Sequence, residues 1–302
     1  MARRLRFGIW LLGLGWAAAA AAQSALLTIV DGSAVLIEGA RRLAAAPGLA
    51  VGPGTLVETG PKLNLLRIEW PDGTVADLGP QTSLMLAPPV LGRGEPRAAY
   101  YLLRGWAKQG SLGAVATTGF VTPALQVAGF KGSVLAHVAD APSPGAAGAA
   151  GSFVYAESGQ AAVLDRAAPG HGPASLANGA VYVAEAAGKA LKWRVAARLT
   201  PEQMQSVPPG LRDSLPLQAA RLAGRKVVPQ VLAPPGYDEL QPWLDAERGL
   251  RRGFPDRFAV LAREPAFRAR LDADLRAHPE WTGLLHPERL ARPASAPAVR
   301  AR

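Results

Sequence analysis

Glycine and proline set the strongest limit on what this chain can become. They number 33 and 27 among 302 residues, a fifth of the sequence. Between residues 24 and 198 turn-forming residues recur about every 8–14 positions, and no amphipathic helix of about twelve residues interrupts them. The stretches between these breaks alternate instead. Leu66, Ile68 and Trp70 share one face, as do Thr82, Leu84 and Leu86, the period of two that marks a half-buried strand. Asp31-Gly32, between Leu26–Val30 and Ala34–Ile37, fits a type I′ hairpin, whose central positions both need positive φ. Pro71-Asp72-Gly73-Thr74 is a second turn, and Ser158-Gly159 a third. Further strands are expected at Tyr101–Leu103, Phe120–Thr122, Leu125–Val127, Val134–Val138, Phe153–Tyr155, Ala161–Leu164, Val181–Val183 and Leu191–Val195. Residues 141–152, made of Ala, Gly, Pro and Ser, read as a flexible insertion between two of them. The class predicted is mainly β, an antiparallel sandwich or a short solenoid-like stack of strands, followed by a C-terminal α-helical segment.

The pattern changes near residue 199. Thr200-Pro201-Glu202-Gln203 is a capping-box start with proline at the first helical position. Leu215–Leu222 reads as a helix ending at Gly224, and Val227–Pro235 as an extended connector. Short helices follow within Tyr237–Leu250 and Pro255–Leu261. The strongest helix, Glu264–Ala277, starts with Pro265 and carries Phe267, Leu271 and Leu275 on one face. The expected division is a leader at 1–22, a β domain at 23–198, a helical segment at 199–290 and a disordered tail at 291–302.

The leader is read from Arg3, Arg4 and Arg6, the uncharged run Phe7–Ala22 and the small residues Ala20-Ala21-Ala22, the pattern of a cleavable secretory signal peptide. A retained membrane anchor is the alternative, but the run is shorter than the roughly 20 apolar residues a spanning helix needs. The mature chain is therefore expected in the bacterial periplasm or outside the cell, with no stable membrane span. The absence of cysteine excludes disulfides, thiolate metal sites and a cysteine nucleophile. A net charge of +10 is spread along the chain, +3 across 24–198 and +4 across 199–302, so no single basic tract stands out.

The β half resembles the FecR-like domain of bacterial periplasmic and cell-surface proteins. The resemblance runs through Gly48–Gly60, Leu65–Thr74, Leu78–Leu84, Leu103–Ala107, Phe120–Pro123, Gly129–Val134 and Glu157–Ala161, in family order, over about residues 26–190. It implies a non-catalytic periplasmic β domain. In the family's iron-uptake regulators that domain relays a signal from an outer-membrane receptor to a cytoplasmic sigma factor. This sequence departs from that plan: six residues precede the apolar run, and helices follow the β half in place of a receptor-contacting module.

His278-Pro279-Glu280 and His286-Pro287-Glu288 offer ligands for a divalent metal, but two prolines in eight residues break the i, i+4 geometry, so structural roles are expected. Gly129-Phe130-Lys131-Gly132-Ser133 lacks the spacing of a phosphate loop. Asp72 and Asp77 flank a turn and are the one carboxylate pair to consider for glycoside cleavage. The sharpest candidate binding patch is Trp243, Arg248, Arg251, Arg252 and Arg257, a basic and aromatic group suited to an anionic polymer, or otherwise a helical face whose arginine stems cover a core. The expected function is recognition without catalysis or cofactor. The partner would be an envelope protein or anionic envelope polymer, and not nucleic acid. An envelope-glycan hydrolase or lyase, and the periplasmic part of a transmembrane signalling regulator, are the alternatives.

Overall fold

The computed structural model describes residues 24–92, 97–111, 118–140, 149–187 and 190–290. The leader, the tail and residues 141–148 of the Ala/Gly-rich insertion lie outside the described residues. Among the described residues one hydrogen-bonded network joins β1 (Ala25–Asp31), β2 (Ala34–Glu38), β3 (Arg41–Ala44), β4 (Ala50–Val51), β5 (Leu56–Thr59), β6 (Leu65–Glu69), β7 (Thr74–Leu78), β8 (Ser83–Leu86), β9 (Tyr100–Ser111), β10 (Phe120–Val121), β11 (Leu125–Val138), β12 (Phe153–Asp165), β13 (Ala174–Leu176), β14 (Val181–Ala187), β15 (Ala190–Ala196) and β16 (Val231–Leu232). The pairing is antiparallel except for one parallel bridge, Val121 to Tyr101. The chain is mainly β, with its α-helices in the C-terminal region, as the turn spacing predicts.

β9 is the spine of the sheet. Its first half pairs β8 and its second half pairs β7, while β11 runs along its other edge. From β8 one wing continues through β5, β2 and β3 to β16; from β7 the other continues through β6 and β1 to β4. The wings enclose one core, in which Leu36, Val57 and Leu84 of the first wing join Leu27, Ile68 and Leu78 of the second. Leu66, Ile68, Leu84 and Leu86 all point into it, the faces their alternation predicts.

Two turn signals mean something different in the structure. Asp31-Gly32 is not a hairpin. β1 pairs β4 and β6, whereas β2 pairs β3 and β5, so this dipeptide is the corner at which the chain leaves one wing for the other. Ser158-Gly159 is not a turn either. Gly132 and Gly159 stand opposite each other inside β11 and β12, with φ of +91° and +77°. A Cβ on Gly159 would lie 2.0 Å from the Lys131 carbonyl oxygen. Glycine here lets two long strands kink without ending, so the expected pairs Leu125–Val127 with Val134–Val138, and Phe153–Tyr155 with Ala161–Leu164, are each one bent strand. Pro71-Asp72-Gly73-Thr74, by contrast, is the expected hairpin between β6 and β7.

Both outer faces of the β half are covered by residues 199–290. On the first wing Ile37, Leu56, Met85 and Tyr101 form a second core with Leu240, Trp243, Leu244, Phe254, Phe258, Leu271 and Trp281. On the other side, Leu65 of the second wing, with Trp106, Leu135 and Phe153 of β9, β11 and β12, packs against Leu199, Val207 and Leu211. The α-helices of the segment are four to nine residues long, below the roughly 12–15 that hold in isolation, so sheet packing is what stabilises them. The capping box forms as expected, with Thr200 and Gln203 each accepting the other's amide. The strongest helix is shorter than its periodicity suggests, ending at Ala273.

Candidate functional site

β6, buried on both faces, carries two charges toward the outer side of the sheet, Arg67 and Glu69. Cross-strand register then builds a line of charge. Arg67 stands opposite Asp77 on β7, and Asp77 opposite Lys108 on β9. Bulges extend the line at either end: Thr28 in β1 and Glu157 in β12 are extra residues in their ladders. The Arg67 guanidinium donates to both Asp77 oxygens, from Nε at 2.6 Å and Nη2 at 2.7 Å. Lys108 Nζ donates to Glu157 at 2.9 Å, and the Ser133 hydroxyl holds the same carboxylate at 2.7 Å. Thr28 donates to Glu69 at 2.7 Å. Arg67, Glu69, Asp77 and Lys108 are each buried, an environment that charges tolerate only when paired and hydrogen-bonded.

The segment from Leu211, the end of a 3-10 turn, to Ala219, the start of a short helix, lies over this row and is gripped by its main chain. Lys108 donates to the carbonyls of Leu211 at 3.1 Å and Asp213 at 3.3 Å. Arg67 Nη1 donates to those of Leu215 at 2.8 Å and Pro216 at 3.1 Å. Glu69 accepts the amides of Gln218 and Ala219, each at 2.9 Å. This overturns the expected helix at 215–222, of which only Ala219–Leu222 is helical. Pro216 disfavours a helical residue before it and supplies no amide, and the amides of Gln218 and Ala219 beyond it are taken by the Glu69 carboxylate. The row was missed from sequence because Leu65-Leu66-Arg67-Ile68-Glu69 reads as a strand with a solvated face. The one available signal is Leu65, apolar on the same side as those charges.

The basic and aromatic patch does not form one surface. Trp243 is fully buried, its Nε1 donating to Glu58 at 2.6 Å. The carboxyl is also held by Ser83 at 2.6 Å, and burial pushes it above the usual carboxylate range. Arg257 donates to the Ile37 carbonyl at 2.9 Å and lies over the Phe258 ring; burial pulls its guanidinium down to about 10. Arg251 is turned inward to the carbonyls of Leu244 and Ala277 and to His278 Nδ1. Arg248 and Arg252 are exposed. The covering-face reading therefore accounts for Trp243, Arg251 and Arg257, and the binding reading keeps two side chains.

The remaining constellations are also placed. His278 is buried between Arg251 and Asp245, while His286 pairs with Asp272 and Glu288. Among the described residues no three His, Asp or Glu side chains converge as a metal ion requires. Asp77 is engaged by Arg67, and Asp72 caps its own turn by accepting the Thr74 amide. Gly129, Phe130 and Lys131 line a surface depression of about 170 Å³, below the size of an ordinary ligand pocket. Among the described residues no helix is long and apolar enough to cross a membrane. Comparison with protein-family models, with curated proteins and with solved structures gave no match to this chain.

Proposed function

We propose that this chain is a non-catalytic recognition protein of the bacterial cell envelope, FecR-like in its β half, that binds another envelope protein. The observation that supports the reading is the charged row. Its side chains are spent on peptide carbonyls and amides, which is the chemistry of holding a polypeptide. The ordered Gly-punctuated motifs and the leader at 1–22 support the family and the compartment, and the exposed Arg248 and Arg252 leave an anionic polymer as the lesser candidate. Formaldehyde crosslinking in whole cells, followed by identification of the adducts, tests it. One dominant envelope protein is expected. A chain recovered only as uncrosslinked monomer, or a turnover on envelope glycan abolished by Asp72→Asn, overturns it. N-terminal sequencing of the recovered chain is expected to begin at Gln23 or Ser24.

A further inference from the structure

We propose that the outer edge of β15 is a strand-acceptor site, and that its occupant is an extended protein segment in which acidic and apolar residues alternate. The inference rests on the recognition reading above and names the edge that is used and the chemistry of what it takes.

Among the described residues β15 pairs with β14 alone and so ends one side of the network. Its seven residues run in unbroken register, from Ala196 opposite Val181 to Ala190 opposite Ala187, with no bulge and no proline. Alternate residues of such a strand turn both N–H and C=O away from the partner, a row that another strand can take up. At the other end of the network β16 offers only two residues. The two faces of the β15 edge differ. Leu191, Trp193 and Val195 share the face that holds Tyr182 of β14 and Val154 of β12. Val154 lies in the main core, and Tyr182 and Trp193 pack on its margin with their rings stacked at 5.4 Å. Leu191 and Trp193 are half-buried, and Val195 keeps 50% of its surface in solvent. The apolar face of the sheet thus runs on past the core it serves, and one more apolar strand would complete it. The opposite face carries Lys192 and Arg194, both exposed. Across 188–198 the sequence holds Lys189, Lys192, Arg194 and Arg198 and no acidic residue. Glu185, opposite Lys192 and bonded to Arg194 at 2.6 Å, balances one of these charges. Cations on an edge commonly guard it against a passing strand. Here Lys192 and Arg194 occupy one face and leave the apolar face open, so they sort strands by charge: a cation opposite them is repelled and an acid is drawn in. A second copy is excluded on the same ground. Two β15 edges paired about a dyad, in the registers that keep the ladder long, set Lys192 against Arg194 or each against itself.

The test uses the full chain. The probes are a capped peptide alternating glutamate and valine and long enough to span β15, the same peptide with lysine for glutamate, the glutamate peptide N-methylated throughout, and polygalacturonate as an acidic polymer without a peptide backbone. Calorimetry gives the affinities, and amide hydrogen exchange shows where each probe sits. The glutamate peptide is expected to bind saturably and to slow exchange at alternate amides of 190–196. The lysine peptide should bind about tenfold more weakly, the scale of two cross-strand charge pairs turned from attractive to repulsive. The N-methylated peptide should give no protection, because it cannot form the ladder. Lys192→Glu with Arg194→Glu should reverse the preference, the lysine peptide then binding about tenfold the better. Should the double variant fail to fold, Lys192→Glu alone is expected to erase the preference. Absence of binding at millimolar glutamate peptide, protection confined to residues outside 190–196, equal affinity for the two charged peptides, or the same protection from polygalacturonate overturns the proposal. So does a dimer whose 190–196 amides exchange slowly without peptide. If whole cells yield one envelope partner that the double variant captures equally well, only this inference falls. If the glutamate peptide binds as expected but cells yield no partner, the functional reading falls and the acceptor edge stands.

Discussion

Arg67 gives both forks of its guanidinium away, one to Asp77 and one to two carbonyls 148 and 149 residues further on. Removing one partner of such a buried pair leaves the other charge uncompensated. Arg67→Met should therefore lose about 3–5 kcal/mol in denaturant unfolding, and the double change Arg67→Met with Asp77→Leu distinctly less, because no lone charge remains. Glu58 acts in the opposite sense. Its carboxyl is raised by burial, so above pH 4.5 the folded chain retains a proton that the unfolded chain has released. Its contribution makes stability fall as pH rises from 4.5 to the folded value, and level off above it. Glu58→Gln should remove that slope. In urea unfolding between pH 4 and 8, wild type should lose ground to the variant as pH rises. Neither role is legible in sequence, since nothing in Leu-Val-Glu-Thr or Leu-Leu-Arg-Ile-Glu says that a second layer covers the strand's other face.

Strand positions were legible where alternation and a true reversal coincide, as at β6, Pro71–Thr74 and β7. They were misread where glycine bends a strand. A dipeptide such as Ser158-Gly159 has the same local chemistry at a turn and at a kink, and only the partner strand decides between them. The difference can be measured. Gly73 has φ of +82° and open space around a Cβ, so Gly73→Ala carries only the conformational cost, about 1–2 kcal/mol. Gly159→Ala meets the same cost and a backbone oxygen at 2.0 Å as well. Its unfolding midpoint should fall well below that of Gly73→Ala, and equality of the two would mean that the kink relaxes freely.

The helical segment is part of the same folding unit as the sheet. Trp243 reaches Glu58, Arg257 reaches Ile37, and a doubled ion pair at 2.6 and 2.7 Å joins Arg166 to Glu247. Calorimetry should therefore give one cooperative transition across 24–290. A chain stopped at residue 198 should bind apolar dyes and aggregate, with Ile37, Leu56, Met85 and Tyr101 laid bare. From sequence the change at residue 199 is plain, but not where the helices land, because their apolar residues lie in turns of four to nine residues without a long stripe.

β16 closes the edge of β3 with residues 231 and 232, and the neighbouring ladder bond runs from the amide of Ala44 to the carbonyl of Gln230. Whatever pore or ribosome delivers this polypeptide, amino end first, some 190 further residues must emerge before the earliest wing can be sealed. Until then its apolar flank and open margin are exposed to the surroundings. Maturation of the molecule is thereby tied to completion of its synthesis, and a chain cut short should be a substrate for chaperones and proteases and not a smaller working protein.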